Sequence, residues 1–217
     1  MKTQVFAARI KEKKKLLSSS SGGMFLALSE AFLQQGYAVA CAIYDVSTQQ
    51  TVFRMIDCRE EQALAQGSKY MQSIPAEIFR ESIRWLKKNK GKKLLFIGMG
   101  CQADAFKKYA EINRVRDRVL VVDIICHGMP SPKIWKEYAL LLEKSYGGKI
   151  EYLTFKDKRN GWNNPYAYVK IGENEIDISE YVNLFYSKCI LRPSCHRCPY
   201  TTVHRDTDMT IGDYWGI

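Results

Sequence analysis

The 217-residue sequence contains no apolar run long enough to cross a lipid bilayer. Its longest apolar segments, LLFIGMG at 94–100 and VLVVDII at 119–125, are far shorter than the roughly 20 residues of a membrane-spanning helix. No apolar segment with a small-residue cleavage site follows the basic N-terminus, so no secretory signal peptide is predicted. Walker-type phosphate loops, serine-hydrolase elbows and zinc-protease motifs are also absent. We therefore expect a cytoplasmic protein without a membrane span.

Cysteine is the residue type that most restricts the function. Seven cysteines cannot all pair in internal disulfides, and grouped cysteines in a reducing compartment more often bind metal or act in catalysis. Three of them, Cys189, Cys195 and Cys198, fall within ten residues of the segment CILRPSCHRCPY. The spacing of the last two lets both thiolates reach one metal centre. Cys41 and Cys58 lie in strand-like contexts and are predicted to be core residues.

The basic charge is less specific. The formal net charge is +10, and much of it lies in KEKKK at 11–15 and KKNKGKK at 87–93. Such runs are usually solvated surface, and no aromatic residues or nucleic-acid motif accompany them, so no nucleic-acid binding is predicted. The charge also suits attraction of an anionic cofactor or of an acidic partner protein.

Hydrophobic patterning predicts an α/β fold. Two strands, at 37–45 and 51–57, follow a helix over MFLALSEAFLQQ that ends before Gly36. The clearest unit is a strand at 94–100, a crossover helix over QADAFKKYAEI and a strand at 119–125. Because both strands are apolar throughout, this unit is typical of a parallel β-α-β arrangement.

The remaining patterns complete this prediction. AEIFRESIRWLKKNK predicts an amphipathic helix, and Ser131 followed by Pro132 predicts the start of another, over KIWKEYALLLEKSY. IEYLTFKD and YAYVKIG alternate like half-exposed antiparallel strands. The expected fold is a mixed sheet with a central parallel β-α-β unit and an antiparallel, cysteine-rich C-terminal part. An N-terminal α/β region, 1–90, and a C-terminal one, 91–217, are expected to form one compact unit.

The ends of the two parallel strands carry candidate ligands. Cys101 follows the first strand and Cys126 follows the second, at the sheet edge where open α/β sheets bind ligands. An iron–sulfur cluster held by Cys189, Cys195 and Cys198 would need another thiolate, for which Cys126 is the first candidate and Cys101 the second. A zinc ion would instead take His196 or His204, which predicts a zinc-stabilised binding module.

Two other segments suit anions or planar rings. SSSSGG at 18–23 precedes a predicted helix, where free N–H groups and the helix dipole favour a pyrophosphate, although ordinary helix caps look the same. GSKY at 67–70 places a lysine beside a glycine. FKDKRNGW at 155–162 is densely charged and contains Trp162, whose ring would stack on a cofactor or cover the core. His127, beside Cys126, is positioned for proton transfer.

Seven segments resemble, in the same order, those of the coenzyme F420 hydrogenase/dehydrogenase beta-subunit family. They are SSSGGMFLALSEAFLQQGY, GSKYMQS, FIGMGCQADAF, DIICHGMPSPKIWKEY, FKDKRNGW, CILRPSCHRCPY and DMTIGDYWG, and the resemblance as a whole extends over residues 5–217. The resemblance implies an oxidoreductase that passes electrons between FAD, a 4Fe–4S cluster and a deazaflavin coenzyme, a ferredoxin-type partner or a small organic substrate.

The resemblance also implies roles for individual residues. The residues around FAD would be Ser20, Ser21, Gly22, Gly23, Ser68, Lys69, Tyr70 and Cys101. The cluster ligands would be Cys126, Cys189, Cys195 and Cys198, with Cys101 competing for the fourth place. His127 would be the proton donor.

The sequence departs from this family in three places. No ferredoxin-like cysteine series precedes residue 41, so electrons would come from a separate ferredoxin-type partner or another redox protein. The strand-end motif GTPCQ is GMGCQ here, and the loss of its threonine and proline predicts a looser turn. Relatives usually continue beyond GDYWGI, which makes this chain a short variant or a fragment.

Overall fold

The computed structural model describes residues 3–214, which form seven α-helices and eight strands. In chain order they are α1 Lys13–Ser18, α2 Met24–Gln34, β1 Ala38–Asp45, β2 Gln50–Ile56, α3 Gln62–Ala65, α4 Ala76–Lys88, β3 Leu94–Met99, α5 Gly100–Ile112, β4 Val119–Ile124, α6 Pro132–Tyr146, β5 Ile150–Asp157, β6 Tyr166–Ile171, β7 Asn174–Asp177, α7 Ser179–Tyr186 and β8 Met209–Ile211. Within these residues, no helix is both long and apolar enough to span a membrane.

The main sheet has five strands in the order β2-β1-β3-β4-β8. β1, β3, β4 and β8 run parallel, and β2 pairs antiparallel with β1 at one edge. The predicted parallel β-α-β unit is confirmed, since β3 and β4 pair in register from Leu94↔Val119 to Met99↔Ile124 with α5 as the crossover. The pairing of β8 with β4 was not predicted, and it places β8 at the edge of the sheet, next to the strand that precedes Cys126.

The apolar strands are buried because helices cover both faces of the main sheet. Leu94, Leu95 and Phe96 of β3 are completely buried. Phe96 packs with residues of α4 and α5 on one face, whereas Leu95 packs with residues of α2 and β1 on the other. Burial on both faces requires continuous apolar sequence, which explains why LLFIGMG lacks the alternation of an exposed strand.

A second sheet, β5-β6-β7, is antiparallel and packs with α6 and α7 around the fully buried Trp135. The Trp135 Nε1–H donates to the Tyr44 hydroxyl at 3.1 Å, which links α6 to the end of β1. The predicted antiparallel strands are thus confirmed. The main sheet takes strands from both sides of residue 90, and the division of the chain at that residue stays a prediction.

The caps of α6 agree with the sequence. Ser131 is the N-cap and accepts a hydrogen bond from the Lys133 N–H, and Pro132 occupies the first helical position. Gly147 ends the helix with a positive φ of 67°, a backbone conformation that costs glycine little. A serine cap, a proline start and a glycine stop are local signals, so this helix follows directly from the sequence.

Candidate functional site at the carboxyl edge of the parallel sheet

The candidate site lies where β3, β4 and β8 end. β3 passes directly into α5, so Cys101 lies in the first turn of that helix, and Cys126 follows β4 by two residues. The Met99 N–H donates to the Gln102 side chain at 3.1 Å, and the Gln102 amide donates to the Ser73 carbonyl at 3.0 Å. These bonds close the turn at Met99 and Gly100, and a difference in looseness from the GTPCQ motif stays a prediction.

Gly100 has a second role at this turn. A Cβ atom on Gly100 would lie 2.8 Å from an Arg205 guanidinium nitrogen and 3.0 Å from the Tyr200 Cβ. The segment that follows the C-terminal cysteines therefore packs directly on the start of α5, and a larger residue at position 100 would displace it.

Two carboxylates anchor that segment to the sheet. Asp123, in β4, is completely buried and accepts hydrogen bonds from Arg205, from Thr207 and, at 2.7 Å, from Thr210. Asp104, in α5, accepts from the Tyr200 hydroxyl at 2.6 Å. A buried carboxylate costs free energy unless donors surround it, and here the donors come from the cysteine-bearing end of the chain.

Four thiols meet at this edge. Burial, together with negative charge on Cys101, Cys195 and Cys198, raises the pKa of the Cys126 thiol to about 11, although the hydrogen bond from the Gly128 N–H acts in the opposite direction. The pKa of Cys101 is raised by burial and, in turn, by Cys198 and Cys195. Thiols act on one another in this way only when they are close, since charge interactions weaken with distance. The expected proximity of Cys101 and Cys126 is therefore found, with two of the three C-terminal cysteines beside them.

The spacing of these thiols is wider than in a zinc site. Within residues 3–214, one group of three residues has potential ligand atoms that all lie within 4.8 Å of one another. It consists of Asp57, Cys58 and Glu61, at the end of β2. Four sulfurs around a tetrahedral zinc would lie about 3.8 Å apart, because each Zn–S bond is about 2.3 Å long. Among the described residues, no three of the edge thiols are that close together.

The other three cysteines lie in different settings. Cys189 follows α7, is exposed, and its thiol donates to the Ser187 carbonyl at 3.7 Å. Cys41 is buried in β1, where burial raises its pKa to about 12, so its predicted core position is confirmed. Cys58 is only half-buried because it lies two residues beyond the end of β2, and its predicted core position is wrong.

The SSSSGG segment does not present its glycines to solvent. A Cβ atom on Gly22 would lie 2.7 Å from the Ala8 carbonyl oxygen, and one on Gly23 would meet the Ile10 side chain at 2.6 Å. The Ile10 N–H also donates to the Gly22 carbonyl at 2.9 Å. These glycines permit close packing of the N-terminal segment, which is a structural use that the sequence pattern did not indicate.

A lysine reaches the same loop from the opposite side. The Lys158 ammonium donates to the Leu16 and Ser21 carbonyls and lies 3.4 Å from the centroid of the Trp162 ring. Burial, with the nearby Lys156 charge, lowers the pKa of Lys158 to about 8, although Asp213 acts in the opposite direction. The ring of Trp162 thus packs against a cation, which gives the densely charged segment a definite geometry.

Asp213 completes this charged group. Burial raises its pKa, but hydrogen bonds from Lys156 and Ser21 and the charge of Lys158 outweigh burial, so the pKa is lowered. The Lys156 ammonium lies 2.9 Å from the Asp213 carboxylate. The serine loop, the FKDKRNGW segment and Asp213 therefore converge on one region.

The GSKY segment divides between two environments. The Lys69 ammonium donates to the carbonyls of Ala65, Gln66 and Gly67, and desolvation lowers its pKa to about 8. The three bonds satisfy all its donors, so Lys69 stabilises the end of α3. Its neighbour Tyr70 instead faces the aromatic residues of α7.

An aromatic cluster connects the two groups of candidate residues. The Tyr70 ring stacks on Phe185 at 4.5 Å, and its hydroxyl lies 3.0 Å from that of Tyr186. The His127 ring lies 5.5–5.6 Å from the same two rings. The Ser68 side chain is a hydrogen-bonding neighbour of the Tyr70 hydroxyl, and the negative charge of Asp213 contributes to the raised pKa of Tyr70. Tyr70, which is expected at the flavin, is thus connected through the aromatic side chains of α7 to His127 in the loop that contains Cys126.

Sequence reasoning missed several residues of this site. They are Asp123, Lys158, Tyr186, Arg205 and Asp213. One signal was present for the first of them, since a lone carboxylate in the buried strand VLVVDII requires a specific partner. The partner itself lies 82 residues away and carries no local signal.

Comparison with known proteins gives one family and one fold. Residues 91–216 match the family described as the C terminus of the coenzyme F420 hydrogenase/dehydrogenase beta subunit. A solved structure of the F420-reducing NiFe hydrogenase complex from Methanosarcina barkeri contains a chain with a TM-score of 0.58 and 19% sequence identity. The alignment covers 88% of this chain and 63% of that chain, so this chain spans less than two thirds of that protein's length. No curated protein matches. The predicted α/β fold and the resemblance seen in the seven segments are both confirmed.

Proposed function

The chain belongs to the coenzyme F420 hydrogenase/dehydrogenase beta-subunit family, since more than half of it matches that family, and from this premise we propose that it is a flavin- and iron–sulfur-dependent oxidoreductase. It would pass electrons between FAD, a 4Fe–4S cluster and a deazaflavin coenzyme, a ferredoxin-type partner or a small organic substrate. The observation that carries this proposal is the convergence of four thiols at the carboxyl edge of the parallel sheet, beside a group of lysine, serine and aromatic side chains.

The thiols suit an iron–sulfur cluster by their chemistry. Four thiolates are the usual ligand set of a 4Fe–4S cluster, and Cys101, Cys126, Cys195 and Cys198 would supply them. The set expected from the resemblance has Cys189 in place of Cys101, and the other three thiols are common to both. A bound cluster accepts or donates one electron at a time. Asp123 and Asp104 would hold the cysteine-bearing segment in position, and the half-buried positions of Cys126, Cys195 and Cys198 would limit contact of these three thiols with water.

The side chains around the serine loop suit FAD. The Lys158 ammonium and the hydroxyls of Ser20, Ser21 and Ser68 are donors for a pyrophosphate, and Tyr70 offers an aromatic surface. Gly22 and Gly23 would act indirectly, by fixing the loop against the N-terminal segment. A bound flavin supplies hydride and one-electron chemistry, while the protein positions it and tunes its potential. His127, an exposed residue that follows Cys126 in the chain and lies 5.5–5.6 Å from the rings of Tyr186 and Phe185, is the proposed proton donor.

Analysis of anaerobically purified protein tests this proposal. We expect flavin together with about four irons and four sulfides per chain, the content of one cubane cluster. Zinc without iron or flavin would overturn the proposal in favour of a zinc-stabilised binding module.

FAD affinity should fall as the pH rises through about 8. Lys158 has its pKa lowered to about 8 and would lose the charge that attracts the pyrophosphate, while Asp213 stays ionised because its pKa is lowered. Between pH 7 and pH 9 the protonated fraction of such a lysine falls about tenfold, so we expect about tenfold weaker binding. Lys158→Met should bind FAD about as weakly at pH 7 as the unchanged protein does at pH 9, and should lose this pH dependence.

The stability of the flavin-free protein should change with pH in the opposite direction to FAD affinity. A lysine with a lowered pKa binds fewer protons in the folded than in the unfolded chain between about pH 8 and pH 10.5, so the flavin-free protein should gain stability across that window. FAD titrations from pH 6.5 to 9.5, followed by flavin fluorescence, measure the affinity. Lys149→Met, which removes an exposed ammonium paired with Glu143, is the control and should keep the unchanged profile. A Lys158→Met protein with an unaltered pH profile would contradict the assignment.

A further inference from the structure

The chain around the C-terminal cysteines is unusually one-sided in charge. Between Ser187 and Arg205 the sequence contains four permanent cations and no carboxylate. Arg205 is committed to the buried Asp123. The other three, Lys188, Arg192 and Arg197, are exposed, and none of them forms an ion pair with any residue of the described range 3–214. These three side chains are called the cysteine rim below.

The rim is attached to the thiol site by backbone contacts. The Arg192 N–H donates to the Met129 carbonyl at 3.0 Å, in the loop that follows Cys126, and the Cys195 N–H donates to the Arg192 carbonyl at 2.8 Å. Arg197 lies between Cys195 and Cys198 in the chain. The cations therefore lie on the segment that carries two of the four edge thiols, Cys195 and Cys198, and that segment is hydrogen-bonded to the loop that follows a third, Cys126.

Exposed apolar side chains lie on the same segments. Ile125, which precedes Cys126, is 60% exposed, and Val203, which follows Cys198 by five residues, is 92% exposed. Apolar groups bordered by charge are typical of protein–protein contact surfaces, in which apolar contacts hold the complex and charges steer its formation.

The chain carries a second basic surface that serves as a comparison. The run at 87–93 contains five lysines and lies between the end of α4 and the start of β3. It is therefore at the amino edge of the parallel strands, opposite to the edge that carries Cys101 and Cys126. A function that needs only net positive charge would use either surface, whereas a function of the thiol site would use the rim alone.

We propose that the cysteine rim is the docking surface for a small acidic protein that carries a one-electron redox centre. This inference rests on the proposed function, in which the thiols hold a one-electron cluster. An electron-transfer partner has to bind beside that cluster, because transfer is efficient only over short distances. The three exposed cations of the rim would attract an acidic surface and orient it, which raises the association rate by about 10- to 1000-fold at low salt.

Charge reversal at the rim tests the proposal. The variant Lys188→Glu, Arg192→Glu and Arg197→Glu is compared with the control Lys87→Glu, Lys88→Glu and Lys90→Glu, which changes the net charge equally at the opposite edge. Reduction of each holoprotein by a reduced acidic ferredoxin is followed in a stopped-flow instrument between 25 and 300 mM salt. We expect the rim variant to react at least about tenfold more slowly at low salt and to lose its salt dependence, and the control to stay within about twofold.

Two further measurements make the outcome decisive. Iron content and end-point reduction by dithionite do not require docking. If the unchanged protein contained no iron or were not reduced by dithionite, the proposed function itself would be contradicted. If the unchanged protein passes both tests and the rim variant still accepts electrons from ferredoxin at the unchanged rate and salt dependence, the docking proposal alone is wrong. The docking proposal is also wrong if the rim variant differs from the unchanged protein only in weaker retention on nucleic acid. The neutral variant Lys188→Gln, Arg192→Gln and Arg197→Gln, with a smaller perturbation of the fold, should show an intermediate rate.

Discussion

Replacing Cys195 by alanine should remove most of the iron from anaerobically purified protein and leave the fold intact. Its thiol belongs to the group at the carboxyl edge and lies on a short 3-10 turn outside the three hydrophobic clusters of the two sheets. The loss of one of four thiolate ligands leaves a cluster incomplete, whereas Cys195 does not belong to the buried core of the β-α-β unit. Iron and sulfide assays, with a far-ultraviolet circular dichroism spectrum on the same sample, measure both effects.

A matched control is available within the chain. Cys58→Ala removes a half-buried thiol at the end of β2 and should keep the full iron content. A second comparison separates the two candidate ligand sets, because Cys101→Ala should lose iron as Cys195→Ala does, whereas Cys189→Ala should keep it. If Cys195→Ala kept its full iron content, the cluster assignment would be wrong. If Cys189→Ala lost iron and Cys101→Ala kept it, the ligand set implied by the resemblance would replace the one proposed.

Replacing Asp123 by alanine should lower the free energy of unfolding by about 3–5 kcal/mol, the usual cost of removing one partner from a buried ion pair. Asp123 is completely buried, and it accepts hydrogen bonds from Arg205, Thr207 and Thr210. Its loss would leave the mostly buried Arg205 guanidinium without a counter-charge. This change is a large part of the roughly 5–15 kcal/mol that stabilises a typical domain. Urea denaturation of the metal-free protein measures it.

The control for this prediction is an exposed ion pair. Glu77→Ala breaks the contact with Arg80 on α4, where both side chains are more than half exposed, and should cost at most about 1 kcal/mol. Asp123→Ala should also lower iron content, because the segment that carries Cys195 and Cys198 would lose its attachment to β4. A change in unfolding free energy below about 1 kcal/mol for Asp123→Ala would show that the anchor is not needed.

Local sequence signals predicted the frame of the site. The apolar strands at 94–100 and 119–125 specify a parallel unit because both faces of a parallel sheet are covered. The position of a residue just after such a strand then fixes its edge, which is why the proximity of Cys101 and Cys126 follows from sequence. The start and stop of α6 follow equally from Ser131, Pro132 and Gly147.

Long-range contacts account for what sequence reasoning missed. The pairing of β8 with β4 depends on Asp123, whose donors Arg205, Thr207 and Thr210 lie more than 80 residues away. Lys69 appeared suited to an anion, but the nearby carbonyls at the end of α3 take all its donors. The serine loop posed the same difficulty, since a glycine that permits close packing and one that approaches a phosphate have the same sequence pattern.

The most direct test of the central proposal is a reductive titration of the anaerobically purified protein, with flavin absorbance and the cluster's electron paramagnetic resonance recorded together. A flavin takes up two electrons and a 4Fe–4S cluster takes up one, so the protein should consume about three electron equivalents per chain. Both signals should change in the unchanged protein, and only the flavin signal in Cys195→Ala. Uptake of about two equivalents by the unchanged protein, without a cluster signal, would contradict the presence of a cluster. Uptake of none would contradict the redox function altogether.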